Sequence, residues 1–308
     1  MATVNTAWDY VGQNIFKTWV FMFLFSLFTV GVVYIFAQAM GLENIGGLSF
    51  VGFALILTGI MNFVSYYFSD KIVLGLSGAK PIEKKDNPEV YRMVENLCIA
   101  AGLPLPKIYI MNETAPNAFA TGRDPKHAAI AFTSGILEKL NKQELEGVTA
   151  HELSHVGNRD TLVMTVVSVL AGTIAILADF FMRSLWFRGS NDRDSRGNAI
   201  FMVLAIVAAI LAPLAATLIR LGISRRRELL ADASGVLLTR YPTGLADALM
   251  KISSDRQPLK AAHTGTAHLF IVNPLKGKDV GGWLAGLFNT HPPIEVRVKA
   301  LHEMEGKV

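Results

Sequence analysis

The sequence predicts an α-helical membrane protein whose spans carry an α+β domain, and three observations lead there. Four stretches are long and apolar enough to be transmembrane helices. The chain is 51% hydrophobic and only 18% charged, where an average soluble domain carries about 25% charged residues. Between the second and third apolar stretches, charges return and helix and strand patterns alternate.

The first stretch covers residues 19–40 and the second 46–68; each exceeds the roughly 20 residues that a spanning helix needs. The first is too long for a signal-peptide core and has no convincing cleavage site, so it reads as retained. Their connector, 41–45, holds Glu43 but no Lys or Arg. In the charged region, Asn87-Pro88-Glu89 starts a helix that runs to about Ala101. Residues 107–111 and 128–132 read as short strands. Asn141 can cap a further helix, with Glu144 three residues on as its capping-box partner. The third stretch is 162–187 and the fourth 199–223, with a kink expected at Pro213. The connector 188–198 is polar, and from 224 the chain is again soluble in character, ending in a helix over 294–304. This divides the chain into a first transmembrane hairpin (1–69), a first domain part (70–160), a second hairpin (161–223) and a second domain part (224–308).

The net charge of +4 and pI near 9.1 fit basic residues beside anionic headgroups of a lipid bilayer. No basic stripe interleaved with aromatics is present, which argues against a nucleic-acid partner. The single cysteine, Cys98, excludes an internal disulfide and a cysteine-based metal cluster; it reads as a small buried residue on an amphipathic helix.

The chemistry centres on His151-Glu152-Leu153-Ser154-His155. Two imidazoles at i and i+4 share a helix face and can bind one zinc ion. Glu152 flanks the metal without ligating it, placed as a general base that moves a proton from water to a leaving amine. A zinc hydrolase needs a third protein ligand and an open position. Glu228 is the best candidate, with Asp232 at i+4 placed to accept a hydrogen bond from a ligand histidine. The bland alternative is an exposed helix in which Glu228 pairs with Arg225, Arg226 or Arg227. Asp160 either supports the metal ligands from outside or simply caps the third span. Asp179 is an acid within an apolar span, best read as an interfacial pair with Arg183 at i+4. His263, His268 and His302 have no ligand spacing and read as surface residues.

HExxH followed by a distant ExxxD, with two apolar spans before and two between, resembles the HtpX heat-shock membrane proteases, relatives of the CAAX prenyl proteases. The segments Asn117-Ala118-Phe119-Ala120-Thr121-Gly122, His155-Val156-Gly157-Asn158-Arg159-Asp160 and His291-Pro292-Pro293 with Arg297 carry the likeness over nearly the whole chain. The resemblance implies a zincin fold with one Zn2+ and endopeptidase activity on membrane proteins, often misfolded ones, in stress-related quality control at the bacterial inner membrane. It implies that Asn117 helps to hold substrate; the alternative is a turn residue. It also favours His291 as a donor to the developing oxyanion, with Arg297 orienting Asp232 or the oxyanion; the alternative is that His291 caps the last helix. A substrate is expected to lie extended along the strand 128–132. A processing protease for lipidated tails fits less well, since the extra spans of the eukaryotic enzymes are missing. A non-hydrolytic scaffold with a structural zinc site is the rival reading, but it would have no use for Glu152.

The positive-inside rule puts Lys71, Lys80, Lys84 and Lys85 in the cytoplasm, so the domain is expected inside and the first hairpin loop outside. Arg188, Arg193 and Arg196 fit an outside second loop poorly. Yet His155 precedes the third span and Glu228 follows the fourth, so a shared ion requires the second hairpin to return to its starting side. Arg225, Arg226 and Arg227 are then expected among inner-leaflet headgroups.

Overall fold

The computed structural model describes residues 7–39, 47–187, 206, 225–259, 266–272, 274 and 291–308. It opens with two long helices, α1 (Ala7–Ala39) and α2 (Gly47–Leu76). Their segments Val11–Val32 and Gly52–Leu76 are long and apolar enough to cross a membrane. Phe16, Phe23, Leu27, Phe53, Ile56 and Ile60 stand exposed on them, an arrangement costly in water and natural in hydrocarbon. Both helices differ from the expected spans. α1 begins well before residue 19, because the polar residues Asn14 and Thr18 are buried and hydrogen-bonded rather than left at a lipid boundary. α2 runs past residue 68, because Val73 and Leu74 pack into the same core as Met111 and Phe119.

A four-stranded sheet follows, built from β1 (Lys80–Pro81), β2 (Lys107–Met111), β3 (Ala118–Thr121) and β4 (Ala129–Thr133) in the order β1-β2-β4-β3. β2 and β4 are parallel, with Ile108 opposite Ile130, and the two outer pairings are antiparallel. β4 is therefore paired on both sides, which corrects the expectation that a substrate lies along 128–132. Of the two outer strands, β3 is the one next to β4, and its alanines alternate with Phe119 and Thr121.

Helices α3 (Pro88–Ala101), α4 (Ser134–Lys139) and α5 (Lys142–Gly157) complete this part. Asn87 caps α3 by accepting from the Val90 amide at 3.2 Å. Asn141 and Glu144 form the reciprocal box that starts α5, at 3.0 and 2.9 Å, a feature of order 1 kcal/mol. α6 (Asp160–Phe187) comes next, and Leu162, Val163, Val166, Val167 and Leu170 turn inward against Phe21, Met22 and Phe25 of α1. The side chains of Asp179 and Arg183, the connector 188–198 and all of the fourth apolar stretch but Ile206 lie outside the described residues.

The chain returns in α7 (Arg225–Thr239), α8 (Pro242–Ser254) and α9 (Ile294–His302). These pack with α3, α5 and the sheet around a second core that includes Val94, Phe132, Val148, Leu153, Leu245 and Leu301. α5 lies at its centre, and every side chain from Val148 to Val156 is buried. α7 crosses α5 closely: a Cβ on Gly235 would stand 3.0 Å from the His151 amide nitrogen. Glycine at that crossing lets acidic side chains one and two turns earlier on α7 reach the histidines.

Candidate metal centre and active site

On α5, one helical turn separates His151 from His155, and their Nε2 atoms stand 3.2 Å apart. Glu228, near the start of α7, brings Oε2 to 3.8 Å from His151 Nε2 and Oε1 to 3.5 Å from His155 Nε2. All three residues are buried. Donors bound to zinc at about 2.0–2.2 Å in a tetrahedron stand roughly 3.3–3.6 Å apart, so the spacing fits one small cation.

The remaining ring atoms strengthen that fit. His151 Nδ1 lies 2.9 Å from Asp232 Oδ1, and His155 Nδ1 lies 3.1 Å from Asp160 Oδ2. A carboxylate partner fixes the proton on Nδ1 and leaves Nε2 as a lone pair. Two lone pairs and a carboxylate facing one point repel unless a cation joins them. The donor set of two imidazoles and one carboxylate suits zinc and leaves a fourth position open. The exposed-helix alternative for Glu228 is not what the geometry has. Asp160 stands at the first position of α6 and contacts His155 directly.

Arg297, on α9, is fully buried; its Nε donates to Asp232 Oδ2 at 2.9 Å and its Nη2 to Asp232 Oδ1 at 2.6 Å. Nη1 donates to the Ile271 carbonyl at 3.1 Å. Burial alone would raise the Asp232 carboxyl, but the Arg297 charge and hydrogen bonds, with His151, bring it down to about 2. His291 Nδ1 lies 2.8 Å from Glu228 Oε2, while its buried Nε2 has no partner among the described residues. It does not cap α9, whose N-cap is Pro293 with no side-chain cap bond.

Burial pushes the Glu152 carboxyl up, and Glu228 adds to this, while both imidazoles and the Ala120 backbone amide pull it down. Glu152 is thereby held against the outer edge of β3. Thr133 donates its amide to the Asn117 carbonyl at 3.0 Å, so alternate residues point to β4 and the backbone of Ala118 and Ala120 points outward. Part of that edge is covered: the Ile271 amide donates to the Ala118 carbonyl at 3.0 Å. Asn117 clamps the same segment, its Nδ2 donating to the Val272 carbonyl at 2.8 Å and its Oδ1 accepting from the Ala118 amide at 3.1 Å. It is thus more than a turn residue, though both its side-chain atoms are engaged within the chain.

Three residues were misplaced or missed from sequence. His268 is buried rather than on the surface, with Nε2 2.8 Å from Ser168 Oγ. Arg227 is also buried rather than among headgroups, its Nη1 3.3 Å from Asp160 Oδ1, whereas Arg225 and Arg226 are exposed. Asn14 of α1, unremarked in the sequence, donates to Asp160 Oδ1 at 2.8 Å. His302 is exposed as expected, paired with Glu305, and His263 lies outside the described residues.

A family model described as Peptidase family M48 matches residues 84–305. The chain is 43% identical over 306 residues to a Protease HtpX homolog of Caldanaerobacter subterraneus subsp. tengcongensis, covering 98% of this chain and 99% of that protein. It is 48% identical over 262 residues to a Protease HtpX homolog of Pyrococcus furiosus, covering 84% and 88%. The crystal structure of S. mikatae Ste24p aligns with a TM-score of 0.49 at 18% identity, over 92% of this chain and 66% of the length of that one.

Proposed function

The chain belongs to peptidase family M48 and is a metallopeptidase, and from that premise we propose a membrane-embedded zinc endopeptidase that faces the cytoplasm and cleaves membrane polypeptides, misfolded ones among them. The observation that carries the reading is the convergence of His151 Nε2, His155 Nε2 and Glu228 on one point, with both Nδ1 atoms committed to carboxylates.

In this reading His151, His155 and Glu228 hold one zinc ion. Zinc bound there supplies Lewis acidity, which lowers the pKa of water and polarises a carbonyl. Glu152 takes the proton of the attacking water on its carboxylate and returns it to the departing amine. Asp232, locked by Arg297, and Asp160 hold the two imidazoles in the tautomer that points Nε2 at the ion. His291 steadies Glu228 through Nδ1 and, with both ring nitrogens protonated, donates from Nε2 to the carbonyl oxygen. The substrate pairs as an extended strand with the outward backbone of β3 at Ala120, beside Glu152.

The membrane and cytoplasmic parts rest on different observations. The start of α1 touches Asn158 and Asp160, so the first span begins on the side where α5 ends. Lys80, Lys84 and Lys85 follow α2 on that side, which the positive-inside rule assigns to the cytoplasm. A site at the base of the spans favours membrane proteins as substrates.

The test is cleavage of casein by the full chain in detergent. A chelator is expected to abolish it and stoichiometric zinc to restore it. Cleavage that persists in chelator, with the protein free of metal, would overturn the zinc mechanism.

A further inference from the structure

Asn14 sits within the first apolar segment, Val11–Val32, yet is only 2% exposed. A side-chain amide there is costly unless its hydrogen bonds are made within the protein. Its Nδ2 donates at 2.8 Å to the carbonyl of Asn158 and at 2.8 Å to Asp160 Oδ1. Asn158 is the C-cap residue of α5, three residues after His155, where helical carbonyls lack partners of their own. The next residue, Arg159, has φ +55, so the turn between α5 and α6 is a sharp one held from the side by α1.

Asp160 is gripped from three helices. Its Oδ2 meets His155 Nδ1 at 3.1 Å, and its Oδ1 meets Arg227 Nη1 at 3.3 Å as well as Asn14. Arg227 directly precedes Glu228. The carboxylate that orients one candidate ligand is therefore itself oriented by the first membrane helix and by the helix that carries another.

We infer that Asn14 is a positioning residue for the metal centre: acting through Asp160 and the end of α5, it sets the orientation of His155 and makes the first span part of the site. This rests on the reading of His151, His155 and Glu228 as metal ligands. Asn62 provides an internal control. It too is an amide in a span, bonded to Ser26 Oγ of α1 at 2.7 Å, but its partners do not lead to Asp160.

The experiment uses the full chain in detergent, substituted with cobalt(II), and reads the visible spectrum, metal affinity by chelator competition, and kcat and KM. Asn14→Leu removes the donor at similar volume. Asn14→Asp keeps the shape and sets a carboxylate against Asp160, so it covers the case in which the leucine variant fails to fold. Both are expected to shift the cobalt spectrum, weaken metal binding roughly tenfold, the lower end for changes around a metal ligand, and lower kcat more than KM. Asn62→Leu is expected to leave the spectrum and affinity unchanged. Wild-type spectrum and affinity in both Asn14 variants, or equal shifts in Asn62→Leu, would overturn the inference alone. Absence of a cobalt signal from the wild-type chain would overturn the ligand reading, and this inference with it.

Discussion

Arg297 lies flat against both oxygens of Asp232, at 2.9 and 2.6 Å, and Asp232 reaches His151 Nδ1 at 2.9 Å. Both residues of the ion pair are almost wholly buried. Removing one partner of such a pair strands the other charge, at a cost of about 3–5 kcal/mol. Arg297→Gln is therefore expected to lower the unfolding midpoint sharply and to weaken metal binding. Arg297→Lys should recover little of either, since an ammonium cannot reproduce the paired donors. Thermal unfolding and metal content of both variants check this; a lysine variant that behaves as wild type would refute the paired-donor argument.

Among the described residues, the group that could hold a metal is His151, His155 and Glu228, without Glu152. Glu152→Gln keeps the shape and should retain bound metal in full. Cleavage should fall by at least about 10²–10⁴, the usual contribution of a general acid–base group. The two readouts are bound zinc and casein turnover on the same preparation. Substantial turnover in the glutamine variant would remove Glu152 from the reaction.

How much of this was legible from sequence depended on the range of each interaction. His151 and His155 were readable because both lie on one helix whose cap, Asn141 with Glu144, is also local. Glu228 and Asp232 were readable as an i, i+4 pair, although only the fold brings them to α5. The edge role of β3 was not readable, since strand order is a tertiary property and four residues from Ala118 to Thr121 are too few to show a pattern. Asn14 left a trace that averaging hid: Asn14 and Thr18 lie at i, i+4 on one face of α1, and both are buried. His268 had no such companion. A lone histidine with no ligand spacing is silent about burial, and its partner Ser168 lies 100 residues away.

His268 also supplies a pH dependence. Burial pulls its pKa down to about 4, whereas an unfolded histidine titrates near 6.5. Between those values the unfolded chain binds the extra proton and the folded one does not, so stability rises with pH there. The neutral ring contributes fully above about pH 6.5, and the contribution drains away as pH falls toward 4, by about 3 kcal/mol in all. His268→Gln should flatten that part of the profile of unfolding midpoint against pH in detergent. An identical acid-side decline in variant and wild type would assign the loss to other groups.

The two roles proposed for the His291 ring can be separated. Nδ1 is committed to Glu228 Oε2 at 2.8 Å, and Nε2 is buried without a partner among the described residues. When both ring nitrogens are protonated, both donate, one to Glu228 and one toward the carbonyl oxygen of a substrate. Asparagine can present an amide nitrogen where Nδ1 stands, but nothing where Nε2 stands. His291→Asn is therefore expected to bind metal nearly as wild type does. His291→Ala should lose about 10–100-fold in metal affinity, as partners of metal ligands commonly do. With metal saturating, both variants should show kcat lowered by roughly 10²–10³ at little-changed KM, the scale of one lost oxyanion donor. Metal competition followed by steady-state kinetics on the two variants decides the matter. An asparagine variant with unchanged kcat would confine His291 to holding Glu228, and an alanine variant with unchanged metal affinity would remove that role instead.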